Sequence, residues 1–545
     1  MPIPTGGLFG FSIRVPPASD LDSLTAAELK ELVLGLLTEV AALKQTVAAQ
    51  REEIARLKGL KGPPTIKPSG MEQSTTPSGI KPISGKPRRG KVRPRVSVED
   101  HTLSVTAPMR SRFKGYETYL VQDVILSVQA KRYRRERWVT PDGQTIIAPL
   151  PAGIDGHFGP NLRRFVLMLY HQGQSTLPRV VALLRSIGVA ISERQVQRLL
   201  TERHDAFLAE SRDVLRAGLA SASWVSADDT GARHKFANAF CTQIGNDRFT
   251  FFATCGSKSR LNFLDLLRAG HTDFVLNEAA FSYMRERGLA GPVIDRLVAA
   301  EVRQFANPPA WQAQLDRLGI AARRQTGLAV IQDPVTIATE GAQWGSIWAH
   351  GFLHNAVVLS DDAGQFAVGD HALCWVHAER LVHKLDSFTD RQRAAQQRMR
   401  SLIWDFYADL KVYRANPDRR RRTVLRARFD RIFRRRTGFA TLDRLLGRLW
   451  ANKGELLKVL DRPEVPLHTN GSENDIRCQV TRRKVSAGTR SDRGRNCRDA
   501  FLGLAKTCAK QGIAFWDYLG DRCSVPGVAV IPSLPDLIRC RGQPG

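Results

Sequence analysis

The fold is decided by the stretch Trp224-Val-Ser-Ala-Asp228-Asp229-Thr230, in which a buried-looking run of residues ends in two carboxylates. Two more strand-like runs follow, Phe236 to Ile244 and Arg248 to Thr254, and a helical pattern then covers residues 259–267. Residues 356–362, Ala-Val-Val-Leu-Ser-Asp-Asp, end in acid in the same way. Three strands, a helix and a fourth strand in this order predict an α/β unit.

A third acid, Glu473, stands in the segment Asn470-Gly-Ser-Glu473-Asn-Asp-Ile-Arg477, which has the pattern of a helix start. Three strands, a helix, a strand and later a helix that carries an acid is the order of a ribonuclease-H-like fold. The long spacings between the acids require helical inserts, which we place at about 276–345 and 389–465. The sequence thus predicts an α/β multidomain chain with a ribonuclease-H-like core over 216–520.

Carboxylates on separate elements are the ligands that a two-metal site needs. Mg²⁺ prefers oxygen ligands and keeps several waters, so such acids can hold two ions about 4 Å apart at a phosphodiester. Mn²⁺ is expected to substitute for Mg²⁺. A structural interpretation is the alternative, because an aspartate at a strand end is often a turn or a helix cap. Three acids in this order favour the metal site.

The whole chain is long and strongly basic. Its 545 residues exceed what one core holds, and its net charge of +28 favours a polyanion, either nucleic acid or an anionic membrane. No uninterrupted apolar run is long enough to span a bilayer, so no membrane partner is expected. The eight cysteines include no CxxC pair and no secretory signal is visible. These features favour a reducing cytoplasm, with nucleoid association when DNA is bound.

Residues 21–60 carry a heptad pattern after a flexible start over 1–20. The apolar seam residues that are expected to pair two copies are Leu29, Val33, Leu36, Val40, Leu43, Val47, Ile54 and Leu57. β-Branched residues at one seam position and leucine at the other favour a two-stranded parallel coiled coil, and hence a homo-oligomer. An amphipathic helix packed on the chain's own body is the alternative. Residues 61–100 are rich in Pro, Gly and basic residues, which indicates an extended linker.

Two small modules are expected between the linker and the core. Short β-type runs and the turn Pro141-Asp-Gly predict a mostly β module over 101–150. Residues 151–215 have a helical pattern with a break at Gly188 and a capping box, Ser192-Glu-Arg-Gln195. This pattern is similar to a helix-turn-helix, and an ordinary helical hairpin is the alternative. The DNA-reading residues would be Arg194, Gln195, Gln197 and Arg198.

The motifs of the core resemble those of one enzyme family. They are Asp228-Asp-Thr, Cys374-Trp-Val-His377-Ala-Glu-Arg, Asn470-Gly-Ser-Glu473-Asn-Asp-Ile-Arg477, Arg483-Lys484…Gly488…Ser491-Asp-Arg-Gly494 and Gly512-Ile-Ala-Phe-Trp-Asp-Tyr-Leu. In this order they resemble the DDE transposases of the insertion sequence sixty-six family. The likeness spans the chain from about residue 145, and the N-terminal helix and basic linker also suit the family.

The resemblance implies that Asp228, Asp361 and Glu473 are the catalytic, metal-binding triad. Asp229 stands where the family commonly has Glu, and Asp362 follows Asp361, so the aspartate of each pair that binds metal is left open. Side chains alternate along a strand, so only one of each pair can face a shared site. Many relatives place a cysteine zinc finger where residues 101–150 lie, but this range contains no Cys and no zinc is expected.

A short run beyond the second acid combines Cys374, Trp375 and His377. Cys374 and His377 have CxxH spacing, but two ligands do not make a zinc site, so we predict that they support the pocket by packing or hydrogen bonding. Trp375 either stacks on an unpaired base or packs in the core. The basic residues predicted to contact phosphates near the third acid are Arg477, Arg482, Arg483, Lys484, Arg490, Arg493, Arg495 and Arg498.

The activity implied by this resemblance is DNA transposition. Such an enzyme cleaves phosphodiester bonds at the ends of its element and joins the freed 3′ hydroxyl to target DNA. Its partners would be double-stranded DNA and small accessory transposition proteins. The alternatives are a non-catalytic DNA-binding protein on a retained scaffold and a ribonuclease-H-like nuclease without strand transfer. Residues 521–545 are expected to form a C-terminal tail.

Overall fold

The computed structural model describes residues 25, 33, 97–151, 154, 157–322 and 333–540. The chain divides into two compact units, residues 1–69 and 70–545. The coiled coil predicted over 21–60 and the linker predicted over 61–100 lie almost entirely outside the described residues. One residue of the predicted seam is described, namely Val33, which is helical and exposed.

Residues 97–150 contain one short hairpin. Strand β1, Arg137–Val139, pairs antiparallel with β2, Thr145–Ile147. Residues 97–136 form neither helix nor strand, and apolar side chains that a packed module would bury are open to solvent, with Tyr119 89% and Ile125 90% exposed. The prediction of a β module over 101–150 held by apolar packing is therefore corrected to a single hairpin. Two three-residue strands present too little surface to build a core.

Between residue 157 and the main sheet, the structure describes four helices. They are α1, Pro160–Leu167, which continues as a π-helical turn over Met168–Gln172, α2, Leu177–Ser186, α3, Glu193–Thr201, and α4, Asp205–Ser221. The capping box predicted before α3 is confirmed. Ser192 Oγ accepts a hydrogen bond from Gln195 N at 3.3 Å, and Gln195 Oε1 accepts one from Ser192 N at 2.9 Å. Val180 of α2 and Val196 of α3 are buried in the core that also covers the sheet.

The first three strands of the sheet form an antiparallel meander. They are β3, Trp224–His234, β4, Ala237–Gly245, and β5, Thr250–Cys255. Helix α5, Arg260–Leu267, follows, and its first turn is capped by Ser259 Oγ, which accepts a hydrogen bond from Asn262 N at 3.2 Å. The three strands and the helix predicted from the sequence are confirmed in this order.

The first insert is helical and has its own core. Its elements are β6, Phe274–Val275, α6, Glu278–Glu286, α7, Gly291–Val298, β7, Gln304–Phe305, α8, Pro308–Arg317, and α9, Pro334–Ala349. Strands β6 and β7 pair antiparallel. Phe274 stacks on Trp311 with ring centroids 5.7 Å apart, and Met284 and Ile337 are buried in the same cluster. Separate apolar packing explains how so long a segment can interrupt one sheet.

Two parallel strands complete the sheet. They are β8, Val357–Ser360, and β9, His371–Leu373. Strand β8 lies between β3 and β9 and runs parallel to both, so the strand order is β5-β4-β3-β8-β9. All four residues of β8 are buried, as expected for a parallel strand inside a sheet. The chain is therefore a mixed α/β protein built on a five-stranded sheet.

The second insert is also helical. Its helices are α10, Trp375–His383, α11, Asp390–Ala415, α12, Arg419–Phe433, α13, Ala440–Ala451, and α14, Lys453–Leu456. Trp375, Phe406 and Phe429 pack together in its core, with ring centroids 5.4 to 6.1 Å apart. The arginines at 419–421 and 434–436 are exposed, so the insert carries much of its charge on its surface.

Four more helices close the structure. They are α15, Asn470–Ser486, α16, Asp492–Gln511, α17, Phe515–Arg522, and α18, Leu534–Cys540. The C-terminal tail predicted over 521–545 is corrected in part, because Leu534 and Ile538 of α18 are fully buried against α4. Arg522 also forms an ion pair with Glu210 of α4 at 2.9 Å. Among the described residues, no helix is long and apolar enough to cross a membrane.

Candidate active site

The pairing of β3 with β8 sets Asp228 beside Asp361. The parallel register joins Trp224 to Val357 and Ser226 to Leu359, so the same offset places Asp361, the first residue after β8, opposite Asp228. The two carboxyl groups are close enough for Asp361 to raise the pKa of Asp228. Two acids that are far apart in sequence are therefore neighbours because of one strand register.

Only Asp228 of the first pair is without a basic partner. Asp229, on the other face of β3, forms an ion pair with Lys258 and accepts a hydrogen bond from Gln365 Nε2 at 2.8 Å. The side chain of Asp229 is 7% exposed. Asp228 Oδ1 accepts a hydrogen bond from Asp229 N at 2.7 Å, and no Lys or Arg of the described residues pairs with it. The alternation of side chains along β3 separates the two roles.

The second pair divides in the same way. Asp362 forms an ion pair with Arg448 of α13. Asp361 Oδ1 accepts a hydrogen bond from Ala363 N at 3.1 Å, which shapes the turn after β8. The second aspartate of each pair is thus neutralised by a base, whereas the first faces its counterpart on the adjacent strand.

Glu473 lies in the first turn of α15. It is linked to Asp228 by His377 of α10, which lies close to Glu473 and whose charge acts on Asp228. Glu473 Oε1 is 3.6 Å from His377 Nε2 and 3.6 Å from Arg380 of the same helix. It is buried and accepts no hydrogen bond from the described residues. A hydrogen bond between Ser226 of β3 and Ser472 holds the start of α15 against the sheet.

Burial raises the pKa of Asp228 to about 7. The hydrogen bond from Asp229 N opposes this shift, and the negative charge of Asp361 adds to it. The negative charge on Asp228 is thus poorly compensated by the protein. Among the described residues, the three acids do not form one group whose ligand atoms all lie within 4.8 Å of one another. Asp361 and His377 both act on the charge of Asp228, and His377 lies 3.6 Å from Glu473, so the acids are linked without forming one tight cluster.

Cys374 and His377 support the position of α15. Thr469, just before α15, donates its N–H to Cys374 Sγ at 3.4 Å, and its hydroxyl lies 3.4 Å from His377 Nδ1. Burial tends to raise the pKa of Cys374, but the hydrogen bond and charge of His377 outweigh it and lower that pKa. Trp375 donates Nε1–H to Leu456 O at 2.8 Å and is 1% exposed. It packs in the core, so base stacking by Trp375 is excluded in this structure.

The predicted DNA contacts differ in their exposure to solvent. Arg194, Gln197, Arg198, Lys484, Arg490 and Arg493 are exposed, whereas Arg477, Arg483 and Arg495 are half-buried. Arg482 and Arg498 are 1% and 5% exposed, so the prediction that they contact phosphates is wrong for this structure. Arg482 donates to Ser175 O at 2.8 Å and stacks on Tyr170. Gln195 is engaged in the capping box of α3.

Sequence reasoning missed the bases that surround the acids. Lys258, Arg380 and Arg448 come from three different segments, and nothing in the local sequence marks Lys258 or Arg448. One signal was available for Arg380, because it follows His377 by three residues and so lies on the same helix face.

The comparisons with known proteins identify the family. Residues 357–496 match the model of the IS66 family of transposases, a range that contains Asp361 and Glu473. The chain is 48% identical over 319 residues to an uncharacterized protein, y4jO, of Sinorhizobium fredii (strain NBRC 101917 / NGR234). That alignment covers 58% of this chain and 97% of the relative. The chain belongs to the IS66 transposase family. No solved structure matches this IS66-family chain.

Membership in the IS66 family indicates a transposase, a DNA-binding protein with a DNA-cleaving function. The family match begins at β8 and ends within α16. It therefore covers the second and third acids, while Asp228 joins them through the register of β3.

Proposed function

We propose that this IS66-family chain is a DDE transposase in which Asp228, Asp361 and Glu473 bind two Mg²⁺ ions. It would cleave phosphodiester bonds at the ends of its element and join the freed 3′ hydroxyl to target DNA, with Mn²⁺ as a substitute metal. One observation carries the proposal. The register of β3 and β8 sets Asp228 beside Asp361, and His377 links Glu473 to the same place.

The strand order supports a ribonuclease-H-like core. Three antiparallel strands followed by two parallel ones, in the order β5-β4-β3-β8-β9, give the arrangement expected of that fold. Strand β3, the first of the five along the chain, lies in the middle of the sheet, and α15 packs across it. Both helical inserts then fall between elements of one core, the first ahead of β8 and the second ahead of α15.

The residues present fit divalent cations. Asp228 is a buried carboxyl beside a second carboxyl, and Glu473 Oε1 is buried without a hydrogen bond from the described residues. His377 and Arg380 approach Glu473, whereas Asp228 has no Lys or Arg partner among the described residues. Lys258 and Arg448 are engaged with the neighbouring acids, so a bound cation would compensate the charge of Asp228 and Asp361. Asp228, Asp361 and Glu473 would hold the ions. Bound Mg²⁺ supplies the positive charge that activates the attacking oxygen and stabilises the leaving oxygen at phosphorus.

The protein's own groups orient the third acid. His377 and Arg380 approach Glu473 from one face of α10, and Thr469 fixes the distance between α10 and α15. Arg380 also adds positive charge where a phosphate would lie, which favours substrate binding. Cys374 and His377 act as positioning residues in this proposal, and Trp375 supports them by packing in the second insert.

The DNA would follow the exposed bases. Lys484, Arg490 and Arg493 lie near the C-terminal end of α15 and the start of α16, and the exposed arginines of α3 offer a second contact. Such groups bind phosphates and displace counterions. Pairing of two copies through 21–60, accessory transposition proteins, and action in the cytoplasm on the nucleoid belong to the same proposal.

The test is transposition of a marked element in cells, with all other genes of the element supplied, followed by in vitro cleavage with Mg²⁺. Asp228→Asn, Asp361→Asn and Glu473→Gln should each lower the frequency by on the order of a hundredfold or more. Asp362→Asn is the matched control, because it removes a neighbouring charge that pairs with Arg448. It should retain most activity.

The outcomes separate the alternatives. Cleavage without joining would indicate a nuclease, and DNA binding without metal-dependent cleavage would indicate a non-catalytic scaffold. The proposal fails if the triad variants, shown to be folded by thermal melts, transpose as often as the wild type. If activity appears only when the accessory proteins are added, the proposal is tested under those conditions. The wild type should then be active and the triad variants inactive.

A further inference from the structure

The two ends of the first insert meet at a cluster of His271, Asp273 and His350. His271 and Asp273 come just before β6, and His350 is the C-cap of α9. Ligand atoms of the three residues all lie within 4.8 Å of one another, which no other trio of His, Cys, Asp or Glu achieves among the described residues. The imidazole rings of His271 and His350 stack with centroids 3.6 Å apart.

Asp273 is held in place as a ligand would be. His350 Nε2 lies 3.0 Å from Asp273 Oδ1 and 3.2 Å from Oδ2. Ser346 Oγ donates to Oδ1 at 2.9 Å, and Gln304 Nε2 donates to Oδ2 at 3.3 Å. Hydrogen bonds of this kind orient metal-binding carboxylates. The side chains of His350 and Asp273 are 28% and 13% exposed, so an ion has a path from solvent.

The charges around the cluster act in both directions. The C-terminal end of the sixteen-residue α9 carries the negative end of its dipole, which favours a cation beside His350. The positive charges of Arg268 and Arg216, which act on His271, disfavour a cation at this place. Both guanidinium groups are ion-paired, Arg268 with Asp265 and Arg216 with Asp213 at 3.0 Å. Their repulsion is thus reduced by groups that they already bind.

We propose that His271, Asp273 and His350 bind a divalent transition-metal ion of the Zn²⁺ class. A nitrogen of His271, Nε2 of His350 and a carboxylate oxygen of Asp273 would be ligands, with water in the open position. The ion replaces the proton between His350 Nε2 and Asp273, and the ring of His350 carries its one remaining proton on Nδ1. The ligand is then a neutral imidazole, and any second ring proton leaves to solvent. Two imidazoles and one carboxylate select Zn²⁺, Co²⁺ or Ni²⁺ over Mg²⁺, so this site differs in chemistry from the oxygen-only triad.

The position of the ion gives it a structural role. Residues 273 and 350 bound the whole first insert, and the ion joins them at its base. The same junction is already held by Asn277 Nδ2, which donates to Gly345 O at 2.9 Å. A metal at this point would fix the insert to the sheet. The sequence predicted no zinc, on the grounds that residues 101–150 lack cysteine and that Cys374 and His377 are only two ligands. The site proposed here departs from that prediction, because its three ligands come from other segments.

The experiment is a Co²⁺ titration of the full chain after removal of metal by a chelator, read by the visible absorption of bound Co²⁺. With excess Mg²⁺ present to occupy the proposed site of Asp228, Asp361 and Glu473, wild-type protein should bind one equivalent of Co²⁺ with imidazole coordination. Zn²⁺ should displace the Co²⁺ and raise the melting temperature. Asp273→Asn keeps an oxygen that can accept from Ser346, and His271→Phe keeps a stacked ring. Each should weaken Co²⁺ binding by at least about tenfold.

Two controls make the result specific. His354→Ala removes an exposed histidine near the same helix end, and Asp362→Asn removes a carboxylate that belongs to neither proposed metal site. Both should bind Co²⁺ as the wild type does. The inference is overturned if the wild type binds no Co²⁺, or if Asp273→Asn and His271→Phe, with melting curves like the metal-free wild type, bind it unchanged. In that case the cluster is only a hydrogen-bonded His–Asp pair.

Discussion

Lys510 of α16 donates a hydrogen bond to Asp475 of α15 at 2.5 Å, and the two side chains are 17% and 7% exposed. Thr250 of β5 donates its hydroxyl to the same carboxylate oxygen at 2.7 Å. Asp475 follows Glu473 by two residues, so the two acids point to opposite sides of the helix. Asp475 therefore ties α15 to the sheet and to α16, while Glu473 lies against His377 and Arg380 of α10.

Removing one partner of the Asp475–Lys510 pair should lower the stability of the protein. Asp475→Ala leaves the Lys510 ammonium buried without its partner, so we expect the free energy of unfolding to fall by about 3–5 kcal/mol in urea titrations. Asp536→Ala breaks an exposed pair with Arg539 and should cost no more than about 1 kcal/mol. The double variant Asp475→Leu with Lys510→Met should be more stable than Asp475→Ala. Equal destabilisation by the exposed and buried changes would contradict this.

The close contact between helix α9 and strand β6 within the first insert limits the size of the residue at position 345. A Cβ at this position in α9 would overlap the carbonyl oxygen of Val275 in β6. Gly345→Ala should therefore lower stability by about 1–3 kcal/mol, measured by thermal melting. Gly447, inside α13, has open space around the same atom, so Gly447→Ala should stabilise the protein by about 0.5–1 kcal/mol. Effects of the same sign at both sites would refute the packing argument.

The burial of Arg482 separates it from the exposed bases. Arg493→Ala should reduce DNA affinity and lower the slope of log affinity against log salt by about 0.9, because one phosphate contact is lost. Arg482→Met should leave that slope unchanged and lower stability by about 1–3 kcal/mol, because Ser175 O loses its donor. Binding isotherms at several salt concentrations, with melts of both variants, check the two expectations. A changed slope in Arg482→Met alone would reverse the assignment.

The sequence marks the three candidate acids because strand ends and helix starts leave local signals. Asp228 and Asp361 each end an apolar run, and Glu473 stands in a recognisable helix start. The choice within each aspartate pair was not predictable, since it depends on which side chain meets Lys258 or Arg448 from a distant element. Strand register and long-range ion pairs have no signature in the local sequence.

The buried face of α15 could not be predicted from the sequence for a different reason. Its buried residues are mostly polar, namely Ser472, Asp475, Ile476, Gln479 and Arg482, so no apolar stripe marks the inner side. Arg482 therefore looked like a surface base. The opposite failure occurs over 101–150, where apolar residues at strand-like spacing are exposed because nothing in the described chain covers them. Hydrophobic periodicity predicts burial only where packing supplies a partner surface.

The last prediction concerns acid stability and His171. This ring, in the π-helical turn after α1, is 2% exposed and stacks on Phe501 of α16 with centroids 4.5 Å apart. Burial, reinforced by the charge of Arg482, lowers the pKa of His171 well below 6.5. In the unfolded chain the ring takes up a proton near pH 6.5, whereas in the folded chain it stays neutral. Stability should therefore be complete above that pH and fall as the pH drops below it.

The comparison of wild type with His171→Phe isolates this effect, since phenylalanine keeps a ring against Phe501 and cannot be protonated. Between about pH 7.5 and about pH 5.5 the wild type should lose about 1.4 kcal/mol more than the variant, measured by urea unfolding at each pH. Both ring nitrogens of His171 are buried without hydrogen bonds among the described residues, so the variant should not break any. Parallel pH curves for the two proteins would show that His171 is protonated in the folded state.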